Sequence, residues 1–326
     1  MAKQKNTALA QGAPLQQYTI DRVISTGGFS IVYLAYNEHG IPVAIKEFMP
    51  AGMGLREDGA IAKIRSKDDD RRFQMGLRGF FKEAEAISRL EDRSVVKILN
   101  FFLANNTAYL VMPFEHGRTL QKLIVSEHDE IHDALVQRIF CDVLQGICRF
   151  HSNDILHLDL KPSNIWIRSD GTAMIIDFGT SRIGKDGKNH LPPMHTPGFA
   201  APEQHRKFYR PEKIGVWTDI YNFGATIYSC IEGEPPTVAE ERMTHDTLPK
   251  LEQRWAGQYS AKMLRMVDKM LRLDPERRPQ DARQILDSMS RYMPMPERDA
   301  FSNFCRKGFY ALGEAPRASG RQTTTW

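Results

Sequence analysis

Two short polar motifs near the middle of the chain limit most strongly what it can fold into. Residues 157–164 read HLDLKPSN and residues 177–179 read DFG, and both motifs are flanked by β-branched and other apolar residues. This pattern predicts short strands and loops at each motif. Mg²⁺ prefers oxygen ligands, so the amide of Asn164 and the carboxylate of Asp177 are suited to hold a magnesium-bound triphosphate. The second carboxylate, Asp159, is then free to orient a hydroxyl nucleophile.

Length and composition exclude several other classes of protein. The chain has 326 residues, of which 41% are apolar and 26% charged, so it can bury a core. It also exceeds one typical domain of about 150 residues. The formal net charge of +4 is too small and too scattered to indicate nucleic acid as a ligand. No apolar run reaches the roughly 18 residues of a transmembrane helix, and the polar residues after Met1 predict no secretory signal.

The cysteines favour a reducing compartment. The sequence has four of them, without the paired spacing of zinc or thiol-redox sites, so a cytoplasmic location is expected. Two lie seven residues apart in a helical pattern, and we interpret them as packing residues. The four are Cys141, Cys148, Cys230 and Cys305.

The first third of the chain has the pattern of an antiparallel sheet. Between Tyr18 and Ile45, short β-branched and apolar runs are separated by glycine-containing turns, which predicts hairpins. Residues 81–90 repeat apolar side chains with a helical period, and residues 95–103 and 108–112 have the pattern of strands. We therefore predict an N-terminal lobe over 17–114, mostly sheet with one helix, preceded by a mobile arm at 1–16.

The remainder of the chain is predicted to be mostly helical. Residues 135–150 carry the apolar stripe of a long buried helix, and similar patterns occupy 218–232, 260–271 and 281–292. These patterns predict a C-terminal lobe over 115–293, followed by a tail at 294–326.

An insertion of about residues 50–78 interrupts the first lobe. Its glycines and its charged run predict a hairpin followed by a polar loop. The insertion would dock a partner, regulate the helix that follows, or be a tolerated surface insertion.

The order and spacing of the motifs resemble those of the eukaryotic-type (Hanks-type) protein kinases, most like the bacterial serine/threonine members. The resemblance runs from about Tyr18 to Tyr292. It implies an α+β, two-lobed protein kinase fold, with an antiparallel sheet plus one helix in the N-lobe and a mostly helical C-lobe. It also implies transfer from ATP to a protein substrate, with Mg²⁺ as the metal and Mn²⁺ as an alternative. The matching segments are Val43–Lys46, Glu83, residues 157–164 and 177–179, Ala201–Glu203, Asp219 and Arg278.

The resemblance assigns roles around the phosphates. Lys46 would hold the α- and β-phosphates and pair with Glu83. Asn164 and Asp177 would hold the metal, and Asp159 would accept the proton of the substrate hydroxyl.

Other residues would act on the substrate side or on the fold. Lys161 would neutralise the transferring phosphoryl group, which favours serine/threonine over tyrosine specificity. Thr196 would bond both Asp159 and Lys161 and shape the substrate pocket. The resemblance also implies three structural residues, Glu203, Arg278 and Asp219. Glu203 and Arg278 would form a buried ion pair.

A nucleotide pocket is implied in the same way. Met112 would guard its back, and backbone groups of Pro113 and Glu115 would bond the adenine, Pro113 only through its carbonyl. Trp166 replaces the aliphatic residue usual in the family, and its indole would either form the floor under the adenine or pack in the core. The implied ATP-binding set is Ile24, Gly27, Val32, Ala44, Lys46, Glu83, Met112, Pro113, Glu115 and Trp166.

The sequence departs from the family pattern at two places. In the glycine-rich loop, serine stands at 25 and 30 and only the middle glycine, Gly27, is retained, which predicts a stiffer loop. Leu158 replaces the arginine that in many members pairs with a phosphorylated activation segment. We therefore expect activity that does not depend on phosphorylation of Thr180 or Ser181 in that segment.

These departures keep two alternatives open. One is a pseudokinase-like, nucleotide-binding signalling scaffold, which is opposed by the presence of Lys46, Asp159, Asn164 and Asp177. The other is a small-molecule phosphotransferase, which is disfavoured by Lys161, Thr196 and Ala201–Glu203 because these match peptide-substrate machinery.

Overall fold

A six-stranded antiparallel sheet forms the first part of the molecule. A computed structural model describes residues 8–56, 61–64, 66–178, 182–183 and 196–290. In chain order, the elements of this part are β1 (Pro14–Leu15), β2 (Tyr18–Thr26), β3 (Ser30–Asn37), β4 (Pro42–Phe48), β5 (Gly54–Leu55), β6 (Lys63–Ile64), α1 (Lys67–Ser88), β7 (Asn100–Ala104) and β8 (Thr107–Pro113). The spatial order of the large sheet is β1-β2-β3-β4-β8-β7, and β5 and β6 form a separate hairpin.

Alternation of side chains gives the large sheet two different faces. Ala44 lies opposite Met112, and Lys46 lies opposite Val32, in the two ladders that flank β4. Residues directly opposite each other share a face, so these four residues of the expected pocket point to the same side.

The other face of the sheet is covered by the chain that precedes it. Leu9 and Leu15 are buried in one apolar cluster with Ile45. The backbone N–H of Gly12 donates to the carbonyl of Ile20 at 2.8 Å, and β1 pairs with β2. The prediction of a mobile arm over 1–16 is therefore wrong for residues 8–15, because two leucines that give no periodic signal bind this segment to the sheet.

The insertion forms a hairpin, as predicted, but its polar part is helical. The helix α1 begins at Lys67, and Ser66 is its N-cap, with Oγ accepting the N–H of Asp69 at 3.1 Å. The acidic run 68–70 occupies the first turn, where carboxylates stabilise the helix dipole. The expected polar loop is thus the start of a 22-residue helix. The serine cap three residues before Asp69 was the available signal.

Helices dominate the second part of the chain. Its elements are β9 (Gly117–Thr119), α2 (Leu120–Glu127), α3 (Asp133–His151), β10 (Ile155–Leu156), β11 (Ile165–Arg168), β12 (Ala173–Ile175), β13 (Arg182–Ile183), α4 (Val216–Glu232), α5 (Ala239–Arg242), α6 (Leu251–Arg254), α7 (Ala261–Met270) and α8 (Ala282–Ser290). The four predicted helices are present as α3, α4, α7 and α8. The sequence did not predict α2, α5 or α6, of which the last two are only four residues long.

The core of this part is built on α3 and α4. The helix α3 packs against α8 and β12, and α4 packs against α7. Asp142 of α3 accepts the backbone N–H of Ala173 at 3.0 Å, which fixes β12 to the helix. Within the described ranges, none of the helices has the length and apolar character needed to cross a bilayer.

Candidate active site

A buried carboxylate from α4 holds the loop at 157–164. Asp219 accepts the backbone N–H of His157 at 2.9 Å and that of Leu158 at 2.7 Å. Its Oδ2 also lies 2.9 Å from Nε2 of His151. Leu158 has a φ of 64°, in the left-handed region that costs a residue with a side chain on the order of 1–3 kcal/mol. The bonds from Asp219 therefore help to keep the loop in a conformation that it would not adopt alone.

Asp159 lies at the centre of a three-residue polar network. The hydroxyl of Thr196 donates to Asp159 Oδ1 at 2.9 Å and accepts from Lys161 Nζ at 2.7 Å. Lys161 Nζ is also 2.7 Å from Asp159 Oδ2. The structure therefore brings together the three residues that the sequence suggested for the substrate hydroxyl.

Asn164 connects this network to the second motif. Its Nδ2 donates to the backbone oxygen of Asp159 at 2.9 Å and lies 3.3 Å from Oδ2 of the same residue. Its backbone oxygen accepts the N–H of Ile176 at 3.0 Å, which sets Asn164 beside Asp177 in the fold. Because Nδ2 is occupied by Asp159, the amide presents Oδ1 away from it.

Lys46 forms an ion pair with Asp177 across the two parts of the molecule. The side chain of Lys46 is 13% exposed, and that of Asp177 is 39% exposed. Among the described residues, the carboxylate that lies within 4.0 Å of Lys46 Nζ is that of Asp177, and the carboxylate of Glu83 lies farther from it. The expected Lys46–Glu83 pair is therefore not made in this structure, although both residues are in the same cluster of charges.

The electrostatics of this cluster follow from burial and from the two carboxylates. Burial lowers the pKa of Lys46, but the charges of Asp177 and Glu83 outweigh it, so the pKa is raised overall. Burial raises the pKa of Glu83 well above its ordinary value, Lys46 opposes this change, and Asp177 adds to it. Lys46 therefore stays protonated. Of the two carboxyl groups, Glu83 is the one for which the charged form is disfavoured by burial.

Phe178 supports Asp177 from behind by aromatic packing. Its ring centroid lies 5.3 Å from that of Phe150 and 5.7 Å from that of His157. Burial lowers the pKa of His157, so the imidazole is kept neutral within this aromatic group. Gly179, the last residue of the second motif, lies outside the described residues.

Three of the expected nucleotide residues, Val32, Ala44 and Met112, lie on the side of the sheet that carries Lys46. Val32 and Ala44 are partly exposed on neighbouring strands, whereas Met112 is buried. Pro113 ends β8, and Glu115 follows it in the connection to the second part, where it pairs with Arg168 at 3.3 Å. The side chain of Ile24, near the end of β2, is 43% exposed.

Trp166 lies in the middle strand of the sheet β9-β11-β12, opposite Thr119 and Met174. Its indole is partly buried and packs on the backbone of Gly117, where a Cβ would collide with the ring. Its buried Nε1 has no hydrogen-bond partner among the described residues. A partly exposed aromatic face with an unsatisfied donor is compatible with both the adenine-floor and the core-packing interpretations.

The glycine-rich loop is fastened to the insertion, which the sequence did not predict. Gly27 N–H donates to the carbonyl of Ser30 at 2.8 Å and closes the turn. Beyond the end of β4, Met49 N–H donates to Phe29 O at 2.9 Å and Ala51 N–H donates to Gly28 O at 2.8 Å. The tip of the loop is therefore paired with backbone that follows Lys46 in the chain.

Glu203 and Arg278 form a buried bidentate ion pair in the helical part. Arg278 Nη1 and Nη2 lie 2.7 and 2.9 Å from the two carboxylate oxygens, and Thr218 donates to the same carboxylate at 2.8 Å. The guanidinium also lies 4.8 Å from the ring centroid of Tyr221. Because Thr218 belongs to the first turn of α4 and Arg278 precedes α8, the pair ties the start of α4 to the segment before α8.

The side chains around Asp177 fit a hard cation. The carboxylate of Asp177 is partly exposed, and the backbone of Asn164 bonds that of Ile176, the residue before Asp177, so the two side chains offer an oxygen-only donor set. In the described part of the chain, no group of three histidine, cysteine, aspartate or glutamate side chains forms a closed metal cage. An open two-residue site of this kind suits Mg²⁺, which usually completes its ligands with water and substrate phosphates.

Comparison with known proteins gives one family match over most of the chain. The family model described as "Protein kinase domain" matches residues 18–289. The chain is 27% identical over 284 residues to the serine/threonine-protein kinase PknB of Mycobacterium tuberculosis, covering 82% of this chain and 42% of that protein. It is 24% identical over 275 residues to the serine/threonine-protein kinase PLK4 of Nematostella vectensis, covering 83% of this chain and 26% of that protein. The chain thus spans less than half the length of these curated relatives.

A solved structure supports the same relationship. The structure titled "PpkA-294 apo form" has a TM-score of 0.77 and 33% sequence identity, and the match covers 88% of this chain and 100% of that chain. This likeness confirms the predicted two-lobed α+β fold.

Proposed function

The chain belongs to the protein kinase family, and from that premise we propose that it transfers the γ-phosphoryl group of Mg-ATP to serine and threonine hydroxyls of protein substrates. The observation that carries the proposal is the network of Asp159, Lys161 and Thr196, with its spacings of 2.7–2.9 Å. It places a carboxylate, a cation and a hydroxyl at one point, which is the chemistry that a phosphoryl acceptor requires.

In this proposal Asp159 receives the proton of the substrate hydroxyl. Thr196 holds Oδ1 of Asp159 by a hydrogen bond, so the orientation of the carboxylate is set before a substrate arrives. Lys161 lies beside Oδ2 of the same carboxylate and supplies a positive charge near the point where negative charge develops on the transferring group. Positioning and charge neutralisation are the main contributions that the protein makes to this reaction.

ATP is proposed to bind between an N-lobe over 17–114 and a C-lobe over 115–293. Lys46 would bind the α- and β-phosphates, Asn164 and Asp177 would hold Mg²⁺ or Mn²⁺, and the pocket from Ile24 to Trp166 would take the adenine. When bound, the metal neutralises phosphate charge. Two observations support this assignment. The donor set at Asn164 and Asp177 consists of oxygens, and the raised pKa of Lys46 keeps its ammonium group charged.

We also propose that activity does not depend on phosphorylation of the activation segment. Leu158 is 1% exposed, so its position offers an apolar side chain in the core and no cation for a phosphate. Thr180 and Ser181 lie outside the described residues. The double variant Thr180→Ala/Ser181→Ala should keep its activity within about twofold, and loss of activity in this variant would contradict the proposal.

The proposed location is the cytoplasm, in a signalling role with a protein substrate and no nucleic acid partner. Cys141, Cys148 and Cys230 are free thiols in the described structure. Burial raises the pKa of Cys141 and Cys148 to about 11, which suits packing residues rather than reactive ones.

The experiment that tests the main proposal is labelling with γ-labelled ATP, with and without Mg²⁺. The unmodified protein and Asp159→Asn are incubated alone and with a generic protein substrate. We expect metal-dependent labelling in the unmodified protein and a loss of at least about a hundredfold in the variant. If neither protein is labelled while ATP still raises the melting temperature, the nucleotide-binding scaffold replaces the kinase.

A further inference from the structure

Four exposed cationic residues fall within eight positions of the chain, shortly after the segment that carries Thr196. Within residues 206–213 there is one carboxylate, at Glu212, so this stretch has an excess of three positive charges. All four cationic side chains belong to exposed residues. The cationic surface consists of Arg206, Lys207, Arg210 and Lys213.

Within the part of the chain that the structure describes, these cations have no anionic partner. Among the described residues, none of the four lies within 4.0 Å of a carboxylate. The neighbouring His205 has Nδ1 3.8 Å from the carboxylate of Glu240. Their recorded contacts are with neutral groups: Lys207 Nζ is 5.3 Å from the ring centroid of Phe208, and Arg210 donates to the carbonyl of Tyr209. Protein surfaces usually mix charges of both signs, so an unpaired group of like charges is a candidate for an external anion.

The surface begins close to the residue that would receive the substrate proton. Gln204 Nε2 donates to the carbonyl of Leu158 at 2.7 Å, and Leu158 directly precedes Asp159. Arg206 is two residues beyond Gln204, so their Cα atoms are at most about 7.6 Å apart. The side chain of Arg206 can therefore reach a peptide whose hydroxyl lies at Asp159.

The backbone between Thr196 and the cationic surface is held firmly. Phe199 N–H donates to Thr196 O at 3.1 Å, and Asn222 of α4 donates to Phe199 O at 2.8 Å and to the side-chain oxygen of Gln204 at 2.7 Å. At the far end of the surface, the indole N–H of Trp217 donates to Lys213 O at 2.7 Å. The charges thus have a fixed position relative to Asp159 rather than lying on an untethered loop.

We propose that the cationic surface binds acidic side chains of the protein substrate, so that this kinase selects serine or threonine residues in an acidic sequence. This inference rests on the proposed function, because it takes Asp159 as the point where the acceptor hydroxyl binds. An extended peptide advances about 3.3 Å per residue, so the acidic residues would lie about two to five positions from the acceptor. A peptide is favoured over nucleic acid because the surface adjoins the Asp159–Thr196 network and the chain as a whole has a net charge of only +4.

The test compares three peptides with one central serine, flanked at those positions by glutamate, glutamine or lysine. The full chain is assayed with Mg-ATP against the variant Arg206→Ala/Arg210→Ala. The matched control is Lys250→Ala/Lys269→Ala, which removes two exposed charges elsewhere in the C-lobe. We expect the unmodified protein and the control to prefer the glutamate peptide, and the test variant to lose about tenfold in kcat/KM on that peptide, mainly through KM.

Binding measured by fluorescence anisotropy separates this proposal from the proposed function. Affinity for the glutamate peptide should exceed that for the lysine peptide, should fall with added salt, and should depend on Arg206 and Arg210 even if no transfer occurs. Equal binding of the three peptides, or an equal loss on all three in the test variant, would overturn the proposal. Tighter binding of a single-stranded oligonucleotide than of the glutamate peptide would overturn it in favour of nucleic acid.

Discussion

The hydroxyl of Thr196 is the smallest group on which the proposed reaction depends. It donates to Asp159 and accepts from Lys161 at the same time, so one oxygen atom fixes both charged side chains. Thr196→Val keeps the shape of the residue and removes both bonds. We expect kcat to fall about tenfold to a hundredfold with little change in KM for ATP, because positioning is lost and the nucleotide pocket is not.

Thr196→Ser is the matched control because it restores the hydroxyl, and it should recover most of kcat. Steady-state kinetics on a peptide substrate checks both variants. A Thr196→Val protein with unaltered kcat would mean that Asp159 and Lys161 are held by other contacts.

Glu83 should make stability depend on pH. Because burial raises its pKa above the ordinary value of 4.5, the folded protein binds this proton more tightly than the unfolded chain does. Its contribution to stability is therefore complete below about pH 4.5 and is lost as the pH rises through the raised pKa. Glu83→Gln does not titrate, so its melting temperature relative to that of the unmodified protein should rise as the pH increases above about 4.5.

Thermal melts of the nucleotide-free protein check this prediction, with Glu85→Gln as the control on an exposed position of α1. Phosphotransfer should fall in Glu83→Gln if Lys46 uses this carboxylate when ATP is bound. A melting-temperature difference that stays constant with pH would contradict the prediction.

The charged residues of the site could be predicted from the sequence, but the pairing between them could not. The family resemblance predicted that Lys46 pairs with Glu83, but the structure pairs Lys46 with Asp177. The choice between two carboxylates depends on the position of α1 against the sheet, which is set by packing such as that of Phe48 on Phe73 at 5.2 Å. Differences of a few ångströms between packed elements leave no periodic pattern in a sequence.

At the scale of elements, a buried polar cluster joins the insertion to the sheet. Glu47 of β4 and Arg56 have side chains that are 0% and 3% exposed, and they form a bidentate ion pair. Tyr33 donates to Glu47 at 2.6 Å, and Arg56 donates to the hydroxyl of Tyr109 at 3.1 Å. Burial raises the pKa of both tyrosines, so both hydroxyls remain protonated donors. The cluster fixes the strand that carries Lys46 to the backbone that pairs with the glycine-rich loop.

Arg56→Met should therefore destabilise the protein strongly. It would leave Glu47 buried without its cation, at a cost of about 3–5 kcal/mol in the free energy of unfolding. The control is Arg89→Met on the surface of α1, where the pair with Glu85 is exposed and contributes less than about 1 kcal/mol. Urea denaturation of both variants measures the difference, and equal small losses would refute the idea that the buried cluster holds the insertion in place.

The elements that sequence analysis predicted are those with strong periodicity. The helices α3 and α4 have long apolar stripes, and both were predicted within two residues of their observed starts. The beginning of α1 was missed because its first turn is acidic and polar, so the amphipathic pattern starts later than the helix. The cap at Ser66 was the better signal at this terminus.

At the scale of the whole molecule, the fold class could be predicted from the sequence. The packing of residues 8–15 over one face of the large sheet could not. The change from a period of about two to a period of 3.6 residues near Gly117 separates the two lobes in the sequence itself. Contact between Leu9 and the strands around Ile45 depends on residues far apart in the chain, and two isolated leucines do not indicate where they pack.

The cover over the sheet has a practical consequence for the design of recombinant fragments. The family match begins at residue 18, so a fragment cloned from that boundary would omit Leu9 and Leu15. Each buried leucine contributes roughly 1.5–3 kcal/mol, so the trimmed protein would expose a hydrophobic sheet surface and have a higher tendency to aggregate during purification. An expression boundary placed before residue 8 keeps both leucines and the pairing of β1 with β2 in the fragment.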